Sequence, residues 1–132
     1  MSEDWYARPV LAVRDAPEAL AFYTAKLGFK QDWTYEEEGR LRIVQVSRPK
    51  CELILSDQWP EDAGRGLIFV SLDAEFFTPA MRDLADRGAR LEHGVWGYEL
   101  VVIKDLDGNR LWFPLPDGVQ WSDVVPGSRP AD

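Results

Sequence analysis

A strand-like run ending in Asp, followed by a helix-like run ending in Gly, occurs twice in this 132-residue chain, and the repeat restricts its fold more than any other feature. In the first copy PVLAVRD (Pro9 to Asp15) leads into APEALAFYTAKLGF (Ala16 to Phe29). Asp15 is placed to cap the helix, Pro17 suits its first turn and Gly28 its end. Ala16, Leu20, Tyr23 and Leu27 share one helical face, fit to lie on a sheet. In the second copy GLIFVSLD (Gly66 to Asp73) precedes a helix expected to start at Thr78 as N-cap with Pro79 first, to bury Met81, Leu84 and Ala85, and to stop at Gly88. The two Asp residues are 58 positions apart and the two Gly residues 60, so the halves keep nearly one spacing.

Three strand-like stretches follow each helix. In the first half these are Lys30 to Glu37, Arg40 to Ser47 and Cys51 to Ser56, separated by Glu38-Gly39 and by Arg48 to Lys50. In the second they are Ala89 to Trp96, Tyr98 to Lys104 and Asn109 to Leu115, with Asp105-Leu106-Asp107-Gly108-Asn109 as the last hairpin. The expected architecture is therefore α+β: two βαβββ modules with curved mixed sheets enclosing a cleft, within one domain. The modules span 7–56 and 66–115. Residues 57–65 form a polar linker, and 116–132 an irregular tail anchored by Trp121, Val124 and Val125.

Composition narrows the function classes. The net charge of −8 has the wrong sign for a protein that gains affinity by neutralising phosphates, so no nucleic-acid partner is expected. An acidic surface instead attracts cationic small molecules. The lone cysteine, Cys51, has no intramolecular disulfide partner, and the opening MSEDWYARP lacks the features of a secretory signal; a cytoplasmic setting is expected. Purely apolar runs such as Leu67 to Val70 are far too short to cross a membrane.

PVLAVRD with the helix ALAFYTAKLGF, and VWGYELVVIKDLDGNRLWF near the end, resemble the vicinal oxygen chelate superfamily, closest to its bleomycin resistance branch, over roughly residues 7 to 115. The resemblance implies two modules enclosing a cleft. In the bleomycin-binding members it implies a homodimer with clefts between subunits and an exchanged N-terminal strand. Where many such relatives carry an Arg-Glu-Phe-like run after Trp-Gly, this chain reads Tyr98-Glu99-Leu100.

Metal-dependent members of that superfamily place His, Glu or Gln on the first and last strands of each module. Carried over by position, those places are Arg8, Gly66, Glu52 and Trp112. Arg stays protonated, Gly has no side chain and indole only donates, so no metal or other cofactor is expected. The sole histidine, His93, cannot supply a two-histidine iron centre and reads as a surface residue at a strand end. Cys51 alternates with Leu53 and Leu55 and reads as a buried small apolar group. No serine lies in a nucleophile-elbow sequence, and Gly64-x-Gly66 precedes no helix, so no catalytic residue is assigned.

The remaining signal is aromatic and acidic. Six tryptophans are present, and Trp33, Trp59 and Trp96 stand where a core does not require them. Flat rings recognise planar ligands with few torsions to freeze. The resemblance implies that Trp33, Tyr35, Phe69, Trp96 and Trp112 line the cleft, with Glu52 and Glu99 as polar ligand-binding residues. Glu36 to Glu38, Glu61 and Asp62 add acidic surface. The expected function is metal-independent binding and sequestration of a flat, cationic small molecule, foremost a bleomycin-type antibiotic. The alternatives are an atypical enzyme of the superfamily (lyase, isomerase or dioxygenase) using Glu52 and Glu99 as acid or base, and a binding module for another planar metabolite.

Overall fold

In a computed structural model of the chain, which describes residues 4–124, the order of elements is β1 (Val10–Ala12), α1 (Ala16–Ala25), β2 (Lys30–Glu37), β3 (Arg40–Arg48), β4 (Cys51–Ser56), β5 (Leu67–Phe69), α2 (Ala74–Asp86), β6 (Glu92–Val95), β7 (Glu99–Lys104), β8 (Arg110–Pro114) and α3 (Trp121–Val124). Two four-stranded mixed sheets result, ordered β1-β4-β3-β2 and β5-β8-β7-β6. The first strand of each module pairs in parallel with the last, and the other neighbours are antiparallel. Neither sheet closes into a barrel. The repeated βαβββ pattern is thus realised in three dimensions.

Each sheet turns one face inward. Val44, Val46, Leu53 and Leu55 of the first sheet and Val101, Ile103, Leu111 and Phe113 of the second join Tyr23, Leu27, Phe77, Met81 and Leu84 of the helical segments in a single apolar core. On α1 the buried face is Ala16, Ala19 and Tyr23, continued by Leu27 beyond the helix, while Leu20 is only partly covered. The helix stops at Ala25 rather than reaching Phe29. Lys26 and Leu27 continue as a turn, and Gly28 adopts φ +69°, where a side chain would be strained and would meet Arg48 and Arg87.

Helix α2 corrects the sequence expectation. It begins at Ala74 with Asp73 as N-cap, so Thr78 is not a cap and Pro79 lies inside the helix. An interior proline costs about 3 kcal/mol. The early start offsets this by placing Phe77 in the core with no exposed surface, on the same face as Met81 and Leu84; Ala85 is exposed. The tail is not wholly irregular either. Trp121 and Val124 are buried on the one-turn helix α3, and Val125 lies outside the described residues. The strands of the second module are shorter than the alternation implied, because its first hairpin starts only at Glu92.

Two polar devices use buried acids, one inside the first module and one between the modules. Asp57, read as linker, accepts a hydrogen bond from Ala16 N–H (3.0 Å) and pairs with Arg42, so it caps α1 where the Asp15 side chain makes no cap bond. In the β7–β8 turn, Asp105 Oδ1 accepts from the backbone N–H groups of Asp107 and Asn109 (2.9 Å each), and Oδ2 accepts from Tyr23 Oη (2.9 Å) and Asn109 Nδ2 (3.0 Å). Asn109, with no exposed surface, also donates to Ala12 O on β1 and accepts from Gly66 N–H at the entry to β5. One amide therefore joins the first strands of both modules. Arg14 adds an exposed link to Asp107 at 2.9 Å.

Asp105→Ala is expected to cost about 3–5 kcal/mol in chemical denaturation, because it strands several buried donors. Tyr23→Phe is expected to cost about 1–2 kcal/mol, since Asp105 keeps its other donors. Burial, and then the charge of Asp105, push the Tyr23 hydroxyl well above its ordinary range. The folded state thus holds that proton more tightly than the unfolded state does, and this contribution is complete below the ordinary tyrosine pKa of about 10 and lost as pH rises above it. Denaturation midpoints measured between neutral and strongly alkaline pH should fall more steeply for the wild type than for Tyr23→Phe.

Candidate ligand-binding faces

With Val44, Val46, Leu53 and Leu55 turned into the core, strand alternation sends Ile43, Gln45 and Ser47 of β3 and Glu52, Ile54 and Ser56 of β4 to the opposite face, where Gln45, Ser47 and Ser56 are themselves buried and Ile43, Glu52 and Ile54 partly covered. Trp33 pairs with Gln45 and Tyr35 with Ile43, so both rings join that face, 40% and 46% exposed. A bulge between Gln31 and Trp33 adds one residue, Asp32, whose carboxylate reaches the same side: Oδ2 accepts from Gln45 Nε2 (2.9 Å) and Oδ1 from Ser47 Oγ (3.0 Å). The hydrogen bond from Gln45 is the main cause holding the Asp32 carboxyl below its ordinary range, aided by Ser47 and Lys30. Arg8 Nη1 extends the chain by donating to Gln45 Oε1 at 2.7 Å.

The open face of the second sheet is built of rings. Phe69 and Trp112 are register partners on β5 and β8. Gly97, at φ +73°, turns the chain so that Trp96 N–H bonds to Tyr98 O, which brings Trp96 and Tyr98 to the same side. Ring centroids lie 5.4 Å apart for Trp96 and Trp112, 5.8 Å for Phe69 and Trp96, 6.3 Å for Phe69 and Tyr98 and 6.4 Å for Trp96 and Tyr98, all edge-on or tilted. Trp96 remains 58% exposed. The Arg110 guanidinium sits 5.8 Å from the Trp112 ring, so a cation already rests against this surface.

The structure therefore brings Phe69, Trp96 and Trp112 together and adds Tyr98, which the sequence reading omitted although it alternates with Trp96 and Leu100. Trp33, Tyr35 and Glu52 gather on the other sheet. Since both inner faces share one core, the two open faces point away from it and not at each other. Glu99 belongs to neither: it lies on the inward-facing row of β7 with Val101 and Ile103, and its Oε1 is 3.0 Å from His93 Nε2. His93 is not a surface residue. Its side chain is 8% exposed and packs edge-on to Trp121, with centroids 5.1 Å apart. Cys51 is partly buried against the core, and burial raises its thiol above the ordinary range. A concavity of about 620 Å³ at the β2–β3 hairpin is lined by Tyr35, Glu36 to Glu38, Arg40 and Arg42. Its walls are mostly charged, and it is separate from the ring cluster.

The donor set does not fit a metal of the superfamily type. Among the described residues no group of three or more His, Cys, Asp or Glu side chains could hold an ion. Of the four carried-over positions only Glu52 has a ligating atom. Gly66 is not a vacated ligand position: a Cβ there would lie 2.5 Å from Leu11 Cδ2 and 2.9 Å from Asn109 Oδ1, inside the module junction.

The family model described as the glyoxalase/bleomycin resistance protein/dioxygenase superfamily matches residues 5–113. The chain belongs to this superfamily. Solved structures share its fold at low identity. A glyoxalase/bleomycin resistance protein from Catenulispora acidiphila is 20% identical, with a TM-score of 0.68 over 84% of this chain and 97% of that one. The bleomycin-binding protein of bleomycin-producing Streptomyces verticillus, in complex with copper(II)-bleomycin, is 20% identical, with a TM-score of 0.65 over 89% and 100%. An antibiotic-binding protein from a Streptomyces species is 17% identical, with a TM-score of 0.61 over 86% and 98%. No curated protein matches the sequence.

Gly66→Ala should lower stability by about 1–3 kcal/mol through overpacking against Leu11 and Asn109. Unchanged stability in urea denaturation would show that the position is open to a side chain.

Proposed function

We propose that this protein binds and sequesters a flat, cationic small molecule without a metal of its own, with bleomycin-type antibiotics as the leading candidates. The observation that carries the reading is the exposed ring cluster of Phe69, Trp96, Tyr98 and Trp112, with Arg110 already lying against Trp112. Three exposed rings, Phe69, Trp96 and Tyr98, gathered around the partly buried Trp112 on one sheet face are costly surface unless something planar covers them. The exposed ring faces of Trp96 and Tyr98, which carry no cation among the described residues, can take a positively charged group, and the net charge of −8 draws such a ligand in. Superfamily membership and the fold shared with bleomycin- and antibiotic-binding proteins support the same reading.

The open faces lie on opposite sides of one core, so a cleft with rings on both walls needs a second copy. In the proposed homodimer the first sheet of one subunit, with Trp33 and Tyr35, faces the second sheet of its partner. Sequestration needs affinity and abundance and assigns no catalytic residue. A cytoplasmic setting agrees with this role; no helix among the described residues is long and apolar enough to cross a membrane.

Calorimetric titration of bleomycin into chelator-treated protein should show saturable binding near one drug per subunit. Trp96→Ala and Trp33→Ala should each weaken it by about 1–3 kcal/mol. Full affinity in both variants, or a monomer that binds as well as the dimer in sedimentation analysis, would contradict the two-walled cleft.

A further inference from the structure

Glu52 stands out on the open face of the first sheet because it lacks a partner. It pairs with Ser47 across β3 and β4, one row along from Gln45 and Ile54, and Asp32 bonds to both Ser47 and Gln45. The donors around it are engaged elsewhere: Ser47 Oγ and Gln45 Nε2 both go to Asp32, and Arg8 goes to Gln45 Oε1 and lies over the Tyr6 ring at 5.1 Å. Glu52 Oε1 is nevertheless buried, and nothing among the described residues donates to it. The other buried side-chain atom left in this condition, Trp121 Nε1, belongs to a ring packed against His93 behind the second sheet, away from both open faces. The buried acids Asp57 and Asp105, by contrast, have their donors. A desolvated acceptor without a donor costs folding free energy, and the cost is recovered when a ligand supplies the donor.

We infer that Glu52 determines specificity for the ligand's cationic group: its carboxylate, part of a side chain that is only partly buried, turns to accept a hydrogen bond from an ammonium, amidinium or guanidinium N–H while the ligand's ring system lies against Trp33. The inference rests on the binding reading above and deepens it. Trp33, Gln45 and Ile54 form a row across three strands, and Glu52 is two residues along from Ile54. The spacing from ring to carboxylate is thus on the order of 10 Å, which selects an elongated ligand, flat at one end and cationic at the other. The exposed Glu36 to Glu38 would draw cations in through a field that salt screens. A buried acceptor acts differently, rejecting any ligand that leaves it unpaired.

Bleomycin serves as the probe, titrated calorimetrically at about 0.05 M and 0.5 M salt, where screening of exposed charges differs strongly. Glu52→Gln should weaken binding at least roughly tenfold at both salt concentrations, whereas the Glu36→Gln/Glu38→Gln double variant should lose affinity only at low salt. Glu52→Leu should raise the urea midpoint of the free protein, because it removes a buried unpaired acceptor. Wild-type binding with full affinity in Glu52→Gln would overturn the Glu52 assignment and leave the binding reading intact. A lowered midpoint for Glu52→Leu would give the carboxylate a structural role and overturn the assignment without any ligand. No saturable binding by the wild type would overturn the bleomycin reading and this inference with it.

Discussion

The carboxylate of Asp105 and the amide of Asn109 are the contact on which the two-module arrangement depends. Asp105 saturates both oxygens within the β7–β8 turn and on Tyr23, and thereby orients Asn109 to reach β1 and the start of β5 together. Apolar burial supplies most of the driving force for the shared core but has little directionality. A buried amide with all its partners in fixed places sets how one module sits on the other. The same geometry explains Gly66, since the close approach of β5 to Leu11 and Asn109 leaves no room for a Cβ.

That junction also decides where ligands can meet the molecule. By drawing the inner faces of both sheets into one core, it leaves the outer faces to carry the exposed rings Trp33 and Tyr35 on one side and Phe69, Trp96 and Tyr98 on the other. The two faces differ in chemistry. One combines Trp33 and Tyr35 with a row of carboxylates and amides, and the other is nearly all aromatic with a cation at its edge. An elongated ligand with a flat part and a cationic part matches the two together better than either alone.

Much of the fold is legible in the sequence because Glu38-Gly39 and Arg48 to Lys50 punctuate the first module: the expected bounds Lys30 to Glu37 and Cys51 to Ser56 match the observed strands, and Arg40 to Ser47 falls one residue short. The start of α2 was not legible. Pro79 is a strong local start signal, and only the tertiary burial of Phe77 overrides it. The role of Asp57 was hidden for a similar reason, since a cap supplied from 41 residues away leaves no local pattern. In the site, side-chain parity was the difficulty. Period-2 alternation groups Trp96 with Tyr98 and separates both from Glu99, but the bulge at Asp32 puts two consecutive residues on one face, and no residue pattern announces it. Whether Glu52 had a partner depends on distances between three strands, which sequence spacing does not encode.

The central claim, that a planar cationic ligand is held on the open aromatic faces, is tested most directly by the tryptophan indole N–H resonances. The chain has six tryptophans, so six resonances report on six places in the fold. On titration of labelled, chelator-treated protein with bleomycin, the resonances of Trp33, Trp96 and Trp112 should shift saturably, while that of Trp121, buried behind the second sheet, stays in place. Absence of any saturable shift, or shifts confined to Trp5, Trp59 and Trp121, would contradict the account.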